Sequence, residues 1–179
     1  MYCLAMCFVQ FSSLTLGKMH IHNLFLSHFY FILQFIILSL FYYNLLKESF
    51  QKKIIVINLS LCLSLLFLQY VLNWSLFHQF NLFEIFITSL PLIIYATFHL
   101  YNLLNEKKEF YYITIGLLIY LFGSTVVFLT SNLLISLHSK FLLKMIMKLN
   151  VYLYIVYQLF ILYELVTVYL IKKSKKNYE

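Results

Sequence analysis

The 179-residue chain contains no arginine and no aspartate, one proline and three glycines, and only 11% of its residues are charged. So few prolines and glycines leave no flexible linker and no second domain in view. So little charge excludes an ordinary soluble domain, whose apolar share is about 45–50%; here 63% of residues are hydrophobic and 20% aromatic. The missing arginine and aspartate, beside abundant Lys, Asn, Ile, Phe and Tyr, read as the codon bias of an AT-rich genome. There is no Gly-x-Ser-x-Gly, no Glu-Glu pair, no His-Glu-x-x-His and no glycine-rich phosphate loop. No loop is long enough to build a water-filled catalytic domain, so no enzyme is expected. Cys3, Cys7 and Cys62 lie in apolar runs without CxxC or metal spacing and read as small buried hydrophobes.

What the chain does have is long apolar runs. Residues 110–137 hold no ionisable acid or base other than tyrosine. As a helix they would extend about 40 Å, beyond the roughly 30 Å of a bilayer's hydrocarbon core. A core helix in water needs a polar back, which this run lacks. The pattern recurs along the chain and predicts an all-α polytopic bundle of about six membrane-crossing helices in one integral membrane domain. The expected helices are 2–16, 23–46, 54–72, 82–104, 110–136 and 149–171, with a short basic tail at 172–179. The first is short for a span and lacks the basic start and cleavage site of a secretory signal. A truncated or misassigned start would explain that shortness equally well.

The net charge of +7 comes from thirteen lysines, which sit at the ends of the apolar runs and mark membrane edges rather than a nucleic-acid surface. With the tail inside, Lys47, Lys52, Lys53, Lys107, Lys108, Lys172, Lys173, Lys175 and Lys176 are cytoplasmic, and Lys18, Lys140, Lys144 and Lys148 are outside. The positive-inside rule therefore places both termini in the cytoplasm, at what reads as a bacterial cytoplasmic membrane. Lys140, Lys144 and Lys148 form one helical stripe, so residues 140–150 either extend the last helix or lie along the surface.

An echo runs through the first half: ten of the 29 positions of residues 20–48 recur 58 residues later. His20-x-x-Asn23-Leu24-Phe25 returns as His78-x-x-Asn81-Leu82-Phe83. This is either a parallel repeat or the ordinary likeness of helix ends, an asparagine cap outside and a lysine inside.

Few polar residues are placed to carry chemistry. Asn81 and Glu84 have the spacing of a capping box at the start of the fourth helix; alternatively Glu84 is an outward carboxylate that could form a cation site with His78 and His28. Glu164 lies about 10 Å inside the last helix, on a polar stripe with Asn150, Tyr154 and Tyr157. His99 sits at a similar depth, so a His99–Glu164 buried pair is allowed; the other option is a Glu164 that snorkels or meets Lys172. The six histidines include the pair His20 and His22, but His28 and His99 differ in depth and cannot share one iron, so neither metal nor cofactor is expected. Pro91 should kink its helix and free the carbonyl of Ile87, with Thr88 and Ser89 at hand to satisfy it. Gly116 and Gly123 share a face that admits close helix packing, within the chain or across a dimer.

The segment Phe110-Tyr-Tyr-Ile-Thr-Ile-Gly116-Leu-Leu-Ile-Tyr120-Leu-Phe-Gly123, followed by Asn132, resembles a helix of uncharacterised multi-pass proteins from AT-rich Bacteroidota. The patch Asn23-Leu-Phe-Leu-Ser-His28-Phe-Tyr30 is similar to their helix that opens with an aromatic-His-x-Tyr pattern. Those proteins are similar to seven-helix sensor-type membrane modules. The resemblance implies a chain without the module's first helix and without an output domain, so that signalling would pass through a partner; it supplies no functional residues. The expectation is a non-catalytic, sensor-like or partner-binding membrane component with lipid and a membrane or signalling protein as partners. The rival is a small secondary transporter using intramembrane Glu164.

Overall fold

The computed structural model describes residues 2–19, 23–105, 109–138 and 140–176. His20, His22, Lys107 and Lys108 lie outside the described residues. Within the described residues the protein is an all-α helical bundle: α1 (Tyr2–Lys18), α2 (Phe25–Leu45), α3 (Ser49–Leu72), a 3-10 turn (Trp74–His78), α4 (Leu82–Asn102), α5 (Tyr111–Ser136) and α6 (Lys140–Lys176). Helices α2 to α6 are each long and apolar enough to cross a membrane. The 17 residues of α1 make only about 26 Å, short of the hydrocarbon core. The chain forms two compact units, Met1–Tyr95 and Ala96–Glu179.

In the first unit α1 packs on α2 and α2 on α3. Met6, Val9 and Tyr30 form a buried cluster flanked by Tyr2, Phe31, Leu33 and Ile37. Polar contacts fix the register of the α1–α2 pair: Asn23 Nδ2 donates to the Ser13 carbonyl at 2.9 Å, and Gln34 Nε2 donates to the Tyr2 hydroxyl at 3.2 Å. Away from water such bonds have no competing solvent, so they lock the pairing of otherwise interchangeable apolar faces.

Two helix bounds depart from the apolar runs. Helix α3 begins at Ser49, within the basic segment expected to be a loop, and Lys52 lies over the Tyr43 ring at 5.4 Å. Helix α6 begins at Lys140 and continues for 37 residues, about 55 Å, so residues 140–150 extend the span as one helix. Hydrophobicity marks where lipid is met; backbone hydrogen bonding decides where a helix stops, and lysine is a good helix former.

In the second unit α5 packs along α6. Gly116 is buried, and a Cβ there would lie 2.6 Å from Phe160 Cβ; at Gly123 it would lie 2.8 Å from Leu153 Cδ1. The smooth strip is therefore filled by α6 of the same chain. Between the two glycines Tyr120 stacks on Tyr157, with centroids 5.3 Å apart and planes at 8°, and meets Tyr154 edge-on. The aromatic layer fills the space that the glycines open.

Candidate functional site

The strongest polar cluster lies in the first unit, where the start of α2, the end of α3, the 3-10 turn and the start of α4 meet. Asn81 precedes α4, and its Oδ1 accepts the Glu84 N–H at 3.4 Å, the cap that the spacing predicts. The reciprocal half of a capping box is replaced by something else. The Glu84 carboxylate turns away from its own helix start, and its Oε2 meets His28 Nδ1 at 2.5 Å and accepts from the Tyr70 hydroxyl. Tyr70 also lies 2.9 Å from His28 Nδ1. The Asn81 amide ties the ring together, donating to Gln69 Oε1 at 3.0 Å and to the Tyr70 oxygen at 3.3 Å.

The His28–Glu84 pair at its centre is closed off, while Tyr70 and Gln69 remain partly exposed. Glu84 is 0% and His28 2% exposed. Phe77 of the 3-10 turn stacks on the His28 imidazole at 5.4 Å and 27°, and Trp74 stacks on Phe77 at 5.6 Å and 18°. Phe25 and Phe29 complete the rim around Phe77. A fully buried carboxylate needs its charge met within the protein, and His28 is the base bonded to it. Because Glu84 Oε2 accepts, Nδ1 is the donor, and the second nitrogen, Nε2, carries or lacks the remaining proton. His28 Nε2 and Glu84 Oε1 are both buried and have no hydrogen-bond partner.

No family model, curated protein or solved structure matches this chain.

The second unit contains the other buried acid. Glu164 is 6% exposed, and its Oε2 accepts the backbone N–H of Tyr112 at 2.9 Å. Tyr112 is the second residue of α5, so the carboxylate caps a helix start from a neighbouring helix, where the positive end of the helix dipole attracts an anion. His99 Nδ1 bonds to the Thr114 hydroxyl at 2.9 Å, and that hydroxyl also donates to the Phe110 carbonyl at 3.0 Å. His99 and Glu164 thus each hold a residue of the first turn of α5, Thr114 and Tyr112. Phe110 itself is left-handed, with φ 53°, a conformation that side chains disfavour. The bonds from Thr114 and the carboxylate beside it hold that strained start in place.

Pro91 is buried in the interior of α4. The Thr88 hydroxyl bonds to the carbonyls of Glu84 at 2.7 Å and Ile85, one turn before the carbonyl of Ile87 that proline leaves free. Among the described residues no group of three or more His, Cys, Asp or Glu side chains is placed to hold a metal; His28 and Glu84 supply two donors where a zinc site uses three or four. Cys7 and Cys62 are free thiols, the first exposed and the second buried.

Sequence reasoning gave Glu84 two options, a capping box with Asn81 or an outward carboxylate near His78 and His28; Asn81 supplies its half of the cap, while the carboxylate goes to His28 and Tyr70 instead of to its own helix start. That reasoning missed Tyr70, Gln69 and Phe77. The available signal was the adjacent polar pair Gln69–Tyr70 in the last turn of a long apolar helix, where an unpartnered hydroxyl or amide would be costly.

Proposed function

We propose that the chain is a non-catalytic, sensor-like component of a bacterial cytoplasmic membrane that acts through a membrane-embedded protein partner. The observation that carries this reading is the sparse internal packing of two spans. Helices α3 and α6 bury 17% of their apolar windows within the chain, against 44–50% for α2, α4 and α5. The outer face of α3 is also smooth as well as apolar: Ser60 and Ser64 are exposed four residues apart, with the Ser64 hydroxyl returned to its own helix at the Ser60 carbonyl. Small residues at that spacing let a second transmembrane helix approach closely.

The lysine distribution supports a cytoplasmic C-terminus. The capping bond of Glu164 supports a structural duty for that acid and gives the transport reading correspondingly less to stand on. A photo-crosslinking residue at position 64, introduced into the full chain in native membranes, tests the proposal. One discrete protein adduct of fixed mass is expected, and Ser60→Leu should abolish it. Adducts with lipid alone would reject a partner on α3. Proton-coupled uptake by proteoliposomes of the purified chain, lost in Glu164→Gln, would replace the reading with a transporter.

A further inference from the structure

We propose that His28, Glu84 and Tyr70 form a proton-binding site that governs whether the aromatic turn Trp74–His78 stays docked. This deepens the sensor-like reading, on which it rests for its consequence, and names the ligand as the proton.

Three observations carry it. The first is closure. His28 and Glu84 are 2% and 0% exposed, and a proton is the ligand that needs no room beside them. The second is the position of the unpartnered atoms. The bonds that join His28, Tyr70 and Glu84 to one another use His28 Nδ1 and Glu84 Oε2, and the Asn81 amide braces Tyr70 and Gln69 beside them. His28 Nε2 and Glu84 Oε1 are left without partners, and these are the atoms at which the cluster can release or take a proton without first breaking an internal bond. The third is the reporter built onto the site. Phe77 touches His28 and Tyr70 of the cluster and Trp74 of its own turn, so loss of order in the cluster passes directly to the turn.

The proton balance is simple. In the closed state Glu84 is charged, His28 carries two ring protons, and the cluster has no net charge. On acidification Glu84 Oε1 takes one proton. Oε2 then loses the charge that held Nδ1–H and the Tyr70 hydroxyl, and His28 is left as a buried cation without a counter-charge. The relief of that state is to open the cluster to water, which requires Phe77 to leave the imidazole. Among the described residues the titratable or charged groups at this end are His28 on α2, Tyr70 on α3, His78 in the turn, Glu84 on α4 and the exposed Lys18 that ends α1. Of these, His78 also touches Phe77, with ring centroids 5.9 Å apart, and is the competing source of any response.

Trp74 is the chain's single tryptophan, so its emission reads this turn alone. The test is a titration of Trp74 fluorescence over roughly pH 4 to 9 on the purified full chain in lipid nanodiscs. No partner is present, so a missing titration and a missing partner are separate results. The wild type should show a reversible sigmoidal change while its helical circular dichroism stays constant. The double variant His28→Gln/Glu84→Gln should abolish the change, Glu84→Gln alone should move its midpoint because His28 still takes a proton, and His78→Gln and Glu164→Gln should keep it. Tyr70→Phe should move the midpoint to higher pH, because a hydroxyl that donates to the charged carboxylate is gone; this variant decides the matter if the double variant does not fold. A flat wild-type response, loss of the response in His78→Gln, or an unmoved midpoint in Tyr70→Phe would each overturn the proposal.

Discussion

A carboxylate shut away from water is only as stable as the group that meets its charge, and this gives the two members of the His28–Glu84 pair unequal weight. Removing Glu84 leaves an imidazole, which becomes neutral by shedding one proton at little expense near neutral pH. Removing His28 leaves a buried carboxylate with only the Tyr70 hydroxyl beside it. His28→Leu should therefore be the costlier change, by about 3 kcal/mol near neutral pH, with Glu84→Leu nearer ~1–2 kcal/mol. The double variant should cost less than the two together, since both charges are gone. Thermal unfolding of the three variants in one detergent checks the order. The other buried acid should behave differently. Gln at position 164 still offers an oxygen to the Tyr112 N–H, so Glu164→Gln should cost under about 1 kcal/mol, while Glu164→Leu strands a buried donor and should cost ~1–3 kcal/mol. His99→Phe and Glu164→Gln should be additive in the same assay, because their bonds end on different residues of α5. Half of the residue-scale picture was legible in the chain. Asn81-x-x-Glu84 carries its cap in its spacing, which is a local property. The His28–Glu84 and His28–Tyr70 contacts join residues 56 and 42 positions apart, and no local period encodes such a meeting.

At the scale of helices, what the apolar runs conveyed was existence and order, because a lipid-facing helix must be apolar along its whole buried length. What they could not convey was where helices end, as α3 and α6 show: polar first turns and lysine-bearing extensions continue the same hydrogen-bond ladder beyond the apolar run. The two asparagines of the internal echo make the same point. Asn81 caps α4, whereas Asn23 reaches across to the α1 carbonyl of Ser13, so like residues at like positions serve different contacts. The glycine strip was legible as a close-packing face, and the structure adds an asymmetry to it. At Gly116 a new methyl would meet Phe160 Cβ at 2.6 Å, an atom fixed to the α6 backbone; at Gly123 it would meet the Leu153 methyls, the free end of a side chain. Gly116→Ala should therefore cost about 1–3 kcal/mol through displacement of α6. Trimming Phe160 to Ala should not rescue it, since the Cβ stays. Gly123→Ala should be close to neutral, the strain offset by alanine's better helix propensity of roughly 1 kcal/mol, and Leu153→Ala should remove what strain there is. Thermal midpoints of the four single variants and the two pairs distinguish fixed from yielding contacts.

For the molecule as a whole the open quantity is its direction through the bilayer, and the lysines constrain it independently of the first helix. Helix α1 is too short to span on its own length, and its hydrogen bonds to the α2 segment run from Ser13 beside Asn23 to Tyr2 beside Gln34, which is less than half of the way along α2. If α1 does not cross, the side of the N-terminus changes, but the sides of every later segment stay as they are. On the positive-inside rule, Lys47, Lys52 and Lys53 would still be assigned to the side of the C-terminal lysines, and Lys18, Lys144 and Lys148 to the other. The segments beyond α1 can therefore be tested without deciding what α1 does. Single cysteines replacing Lys53 and Lys144, in a chain with Cys3, Cys7 and Cys62 changed to Ala, report the two faces. Lys144 is exposed at the start of α6, several turns from the apolar centre of the span, so a cysteine there should react with a membrane-impermeant maleimide in intact cells. A cysteine at position 53, in the first turns of α3 on the opposite face, should react only after permeabilisation. The reverse pattern would invert the chain and place the His28–Glu84–Tyr70 cluster, together with Trp74, on the cytoplasmic side, where it would meet the pH of the cell interior instead of that of its surroundings.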